Sequence, residues 1–172
     1  PNWLFELPKL SWLGFAGNAM PRPKAPATVP NISMQDIQLG EQIGEGASGF
    51  IYKANWSDQS EVAVKLFKGA ITSDGYPQDE LNCCLKAGEH PNLIKVLAQI
   101  DEGDQLGMLM ELIPSSYRNL GLPPSLASCT RDTFADGTQF TLRDILSIST
   151  QMCDTLAHLH LQKVSHGDIY AH

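Results

Sequence analysis

The sequence predicts an α+β fold: a five-stranded antiparallel sheet with one helix, followed by a second, longer helix. Three observations predict it. Three short β-branched and aromatic runs at 37–43, 50–56 and 61–67 follow one another across connections short enough for hairpins. A helical stretch at 78–90 then separates them from two further strand-like runs, 92–100 and 105–113, on either side of the turn at 101–104. From Thr141 onward, Leu142, Ile145, Leu146, Ile148, Met152, Leu156 and Leu159 recur at helical spacing.

At 172 residues, 42% hydrophobic and 18% charged, the chain is long enough for one domain with a real core, and its composition excludes disorder throughout. A formal charge of −7 argues against a nucleic-acid partner, which would call for a basic face. No apolar run approaches the roughly 20 residues that span a bilayer, so no membrane segment is expected and the chain reads as cytoplasmic. Cys83, Cys84, Cys129 and Cys153 form no C-x-x-C pair, so neither a zinc site nor a disulfide framework is indicated. The chain opens on Pro1 with no signal-like start and stops at His172 inside a loop, so both ends read as cut.

Taken in order, residues 1–20 carry the rhythm of a leucine-rich repeat: Leu7, Leu10, Leu13, Phe15 and Met20, with Asn18 between. One repeat cannot bury its own apolar face, so this stretch is expected to end a longer array, with an apolar arm of chance spacing as the alternative. Residues 21–35 are Pro-rich and read as a linker, and residues 36–172 form the predicted domain. After its fifth strand, a Pro-, Ser- and Gly-rich connector at 114–139 leads to the long helix, which Thr141 can cap. The apolar stripe of that helix is broad and expects partners.

Between the first two strands lies Gly44-Glu45-Gly46-Ala47-Ser48-Gly49, a G-x-G-x-x-G whose glycines let backbone approach phosphate oxygens. Taken alone it is equally a glycine-rich hairpin with no ligand. A dinucleotide fingerprint would be followed by a helix, but here strand continues, and no G-x-x-x-x-G-K-[ST] occurs. On the third strand Ala63 and Lys65 share one face, while Val62, Val64 and Leu66 take the other. An ammonium beside a small Ala suits an adenine nucleotide, although a strand lysine also commonly guards a sheet edge.

Strand, glycine loop, strand and then Val62-Ala63-Val64-Lys65 resemble the signature set of the eukaryotic-type protein kinases, with Ile51 standing where that family has Val. The resemblance extends through "HPNLIKV" (90–96), "MLMELI" (108–113) and "LAHLHLQKVSHGDIYAH" (156–172). With the repeat-like start, the chain resembles a leucine-rich-repeat-containing protein kinase. The implied fold is a kinase small lobe with the first helix of the large lobe. The implied reaction is transfer of the γ-phosphoryl group of Mg-ATP to a protein hydroxyl, with Ser/Thr as the expected class. Asp168 would orient the hydroxyl and accept its proton, Lys65 would hold the phosphates, and Glu80 would hold Lys65, with Asp79 as the second choice. Ile43, Gly44, Glu45, Gly46, Ala47, Ser48, Gly49, Ile51, Ala63, Met110, Glu111 and Ile113 would surround ATP, Met110 as the gatekeeper and the backbones of Glu111 and Ile113 facing adenine. The Asn and D-F-G Asp that hold Mg²⁺ in the family are expected beyond His172, so the chain alone is expected to be inactive. ATP, a protein substrate and a protein bound by the repeats are the implied partners.

Two departures support an alternative, a pseudokinase or nucleotide-binding interaction module attached to a repeat array: Gly167 stands where many kinases have Arg, and Tyr170 where Ser/Thr kinases have Lys. A metal site built from His158, His160, His166, Asp168 and His172 is disfavoured because His158 and His160 lie on different helix faces. A Ser-His-Asp hydrolase lacks its G-x-S-x-G elbow.

Overall fold

The structure is a computed structural model that describes residues 2–9, 29–57, 60–69, 75–128 and 131–172. Most of the repeat-like stretch and the linker up to residue 28 lie outside the described residues. The chain forms β1 (Ile37–Glu45), β2 (Gly49–Trp56), β3 (Ser60–Phe67), α1 (Pro77–Ala87), β4 (Val96–Glu102), β5 (Gln105–Glu111) and α2 (Leu142–Leu161). All five strands join one sheet in the order β1-β2-β3-β5-β4, with every neighbouring pair antiparallel. The predicted five-stranded sheet with its helices is therefore the observed architecture.

Alternation along β3 sorts the core into two clusters. Val62 and Val64 point to one side, where Ile37, Ala54, Ala98, Ile100 and Leu109 close over them. Phe67 points to the other, where it meets Met108 and the buried face of α1, Leu81 and Leu85. Leu81 and Leu85 are spaced i, i+4 and so fall on one stripe of the helix. Fully burying a leucine contributes about 1.5–3 kcal/mol, so this pair is the main anchor of α1 on the sheet.

The helix is shorter than its sequence pattern. Pro77 opens it at a position where no N–H is needed, and Gly88 closes it at φ 69°, before the predicted limit at His90. Pro91 follows, and residues 91–93 turn, with Leu93 N–H donating to His90 C=O at 3.0 Å; β4 consequently starts at Val96 and not at Asn92. β5 likewise ends at Glu111, before Ile113 and Pro114.

The end of the predicted linker belongs to the sheet. Ile32 N–H donates to Gln99 C=O, and Gln99 N–H to Pro30 C=O, both at 2.9 Å, so Asn31 forms a parallel bridge on the outer edge of β4. Ile32 and Met34 then pack on the first core cluster. A sheet edge with unpaired backbone groups is thereby covered.

α2 begins with a capping box, Asp144 N–H donating to Thr141 Oγ1 at 3.2 Å and Thr141 N–H to Asp144 Oδ2 at 3.0 Å. Of its residues only Thr155 and Leu159 are buried, while Leu142, Ile145, Leu146 and Leu161 remain exposed. No helix among the described residues is long and apolar enough to cross a membrane.

Candidate active site

The β2–β3 hairpin sets the register of the site. Ile51 pairs with Lys65, Lys53 with Ala63, and on the other side of β3 Ala63 pairs with Met110 and Lys65 with Met108. Ala63 and Met110 are thus cross-strand neighbours, with Lys65 two residues along the same face. Gly44 pairs with Ile51, which brings the end of β1 over this face. Gly49 is a close approach: a Cβ there would lie 2.5 Å from Leu66 C=O, so a side chain at 49 would push β2 off β3. Gly46 N–H donates to Gly49 C=O at 2.9 Å, closing the turn, and Gly46 has open space around its Cα.

Lys65 Nζ donates to Glu80 Oε1. The pair forms because β3 and the first turn of α1 are held together by Phe67, Leu81 and Met108. Glu80, and not the second choice Asp79, is therefore the partner of Lys65. The lysine side chain is 15% exposed and the glutamate 35%, so the ammonium is largely withdrawn from water while the carboxylate keeps one open side. Lys65 Nζ also lies 5.2 Å from the centroid of Phe67. One turn on from Glu80, the Cys84 thiol is pushed up to about 11 by burial and, secondly, by the Glu80 charge.

The gatekeeper-like Met110 packs on the same cluster as Phe67 and Leu81. Glu111 N–H donates to Lys95 C=O at 3.0 Å, and its carboxylate accepts from Lys95 N–H at 3.2 Å. Glu111 is thus fixed against the start of β4, and Ile113 beyond it is exposed. Ile43 is also exposed, on β1.

A set of contacts that the sequence reading missed carries α2, and with it the following loop, onto α1. His158 Nε2 meets Ala87 C=O at 2.7 Å, so that nitrogen carries the hydrogen. His90 stacks against His158 with ring centroids 4.9 Å apart and places its Nε2 3.2 Å from Asp154 Oδ2. Lys86 Nζ donates to Lys163 C=O at 3.0 Å. The signal was present as His90, Asp154 and His158, the last two spaced i, i+4 on one helix face.

The loop after α2 is open. Asp168 is exposed and its N–H donates to His166 Nδ1 at 3.3 Å. Met152, His166, Asp168, Ile169, Tyr170 and His172 line a shallow depression there. Ala171 is tied back to the connector, its N–H donating to Asp132 Oδ1 at 2.9 Å and its C=O accepting from Gly121 N–H. Gly167 has φ 73°, a left-handed conformation in which a side chain is strained. Among the described residues no three His, Cys, Asp or Glu side chains gather where a metal ion could be held.

Comparison with known sequences agrees in kind. Residues 37–172 match the family described as protein tyrosine and serine/threonine kinase. The cytokinesis protein sepH of Aspergillus terreus is 31% identical over 140 residues, 79% of this chain and 9% of its own length. The tyrosine-protein kinase Fer of Rattus norvegicus is 32% identical over 86 residues, 48% of this chain and 10% of its own length. The human Fer kinase is 31% identical over 85 residues. The chain thus spans about a tenth of the length of these relatives.

Proposed function

From the premise that this chain belongs to the protein tyrosine and serine/threonine kinase family, we propose that the protein transfers the γ-phosphoryl group of ATP to a protein hydroxyl. The observation that carries the proposal is the Lys65–Glu80 pair beside the glycine hairpin. An ammonium held by a carboxylate on a helix, on the face shared by Ala63 and overhung by Gly44–Gly49, is an arrangement suited to a triphosphate and an adenine ring. The residues present fit ATP: Ala63 and Met110 supply an apolar floor, the backbones of Glu111 and Ile113 an edge for adenine, and the hairpin N–H groups and Lys65 the phosphate contacts. Bound divalent metal would neutralise phosphate charge in such a site.

Asp168 is assigned the orientation of the acceptor hydroxyl and the acceptance of its proton as the phosphoryl group arrives. The acceptor is proposed to be serine or threonine. Supporting this, residues 37–172 match a family that includes serine/threonine kinases. The rhythm of Leu7, Leu10, Leu13, Phe15, Asn18 and Met20 supports a leucine-rich repeat ahead of the kinase domain, offering a surface to a protein partner. A cytoplasmic location goes with that reading.

The test is transfer of labelled γ-phosphate from ATP by the full-length protein to peptides carrying Ser, Thr or Tyr, with Asp168→Asn in parallel. Transfer to Ser or Thr that disappears in Asp168→Asn is expected. ATP binding without any transfer would replace this reading with the pseudokinase one.

A further inference from the structure

Lys68 follows the last residue of β3 and is attached to the glycine hairpin four times over. Its backbone N–H donates to Ser48 C=O at 3.0 Å. Its Nζ donates to the Glu45 carboxylate at 2.7 Å and to Gly46 C=O at 3.0 Å. The same ammonium lies 4.4 Å from the centroid of the Phe50 ring. Glu45 ends β1, Gly46 and Ser48 belong to the turn, and Phe50 stands at the start of β2. One side chain therefore ties both limbs and the tip of the hairpin to the end of β3.

A plain surface ion pair between long side chains would hold little, because both partners stay solvated and mobile. Lys68 differs in that a backbone bond, a carbonyl and a ring face fix its position before the carboxylate is counted, and its side chain is only 29% exposed. Glu45 pairs with Phe50 and Phe50 with Leu66, so Lys68 grips the hairpin from the sheet face opposite Ala63 and Lys65 and leaves the phosphate side of the loop open.

We propose that Lys68 is a positioning residue for the nucleotide: its clasp on Glu45, Gly46 and Phe50 holds the glycine hairpin down over β3. The inference rests on the ATP-binding reading above and adds to it a second lysine, distinct from Lys65, whose ammonium is engaged by Glu80. The clasp acts on the phosphate end of the ligand and leaves the adenosine end alone.

The experiment titrates the full-length protein with ATP and with adenosine, by calorimetry at low salt, for the unaltered protein, Lys68→Met, Lys68→Arg, Lys68→Glu and the exchange Glu45→Lys/Lys68→Glu. Lys68→Met is expected to weaken ATP about fivefold, the upper end of what one partly exposed ion pair supplies, with adenosine unchanged and the loss shrinking as salt is added. Lys68→Arg should retain ATP affinity, and the exchange should bind ATP more tightly than Lys68→Glu alone. Equal losses for ATP and adenosine in Lys68→Met would make Lys68 a fold residue only and overturn the proposal, as would no loss at all. An unaltered protein that binds no ATP would overturn the nucleotide reading itself, an outcome distinct from unaltered binding that Lys68→Met leaves intact.

Discussion

Replacing Lys65 by Met separates the role of its charge from its place in the fold. The side chain is 15% exposed and stands on a strand whose neighbours are Ile51 and Met108, so a thioether of similar length fits the slot. Phe67, whose ring centroid lies 5.2 Å from Nζ, offers a sulfur–aromatic contact in exchange for the lost cation–π one. Glu80 loses its partner but, at 35% exposed, turns to water. The folded state should then lose about 1 kcal/mol at most. For a fold of this size that is a melting shift of about 2–4 °C. Transfer should fall far more, by about 10²–10³-fold, the usual effect of removing one preorganised group from a developing charge. The assay pairs phosphate transfer with thermal unfolding on the same full-length preparation. Undiminished transfer, or a loss of transfer matched by a melting shift of ten degrees or more, would refute the assignment: the first removes Lys65 from the chemistry, the second makes it a packing residue.

Two further expectations follow from the same neighbourhood. Leu81 is fully buried against Phe67, Leu85 and Met108, so Leu81→Ala should destabilise the domain by about 2–5 kcal/mol in urea titration; a change within 0.5 kcal/mol would mean that α1 is not anchored there. Cys84, held up at about 11 from an ordinary 9.0, should resist iodoacetamide at pH 8 while the exposed Cys83 beside it is alkylated, read by peptide mass spectrometry. Because the raised value means that the folded state holds this proton more tightly, the stability it contributes is complete below about 9 and is lost as pH rises towards 11. Labelling of Cys84 as fast as Cys83 would show that the thiol is neither buried nor near the Glu80 charge.

The sheet was legible because period-two alternation and short connections leave few alternatives for 37–67, and Val62, Val64 and Phe67 fall where that alternation puts them. Glu80 could be chosen over Asp79 because it begins the apolar phase continued by Leu81, Cys84 and Leu85 and because it precedes His90-Pro91-Asn92 by ten residues, close to the spacing of the kinase family. Strand order was not legible in the same way. β5 enters between β3 and β4 because α1 carries the chain across the sheet to its outer edge and the Gly103 turn brings it back, a consequence of packing and not of any one segment's pattern. The edge bridge at Asn31 was hidden because residues 21–35 carry the composition of a linker; what recruits them is the open side of β4, a partner distant in sequence.

Lys68 was equally invisible, since a lysine after a strand looks like any solvated end until the hairpin folds back onto it. Gly167 is the instructive case. In the sequence it is a missing arginine, and the inference drawn from it concerns lost activity. In the structure it has φ 73°, a conformation open to glycine at little cost and strained for arginine by about 1–2 kcal/mol. The path of the backbone into Asp168 is therefore itself a sufficient physical reason for glycine at 167. It also separates the two departures: Gly167 bears on how the loop is shaped, and Tyr170, which lines the depression with Asp168, is the one that bears on what the loop can accept.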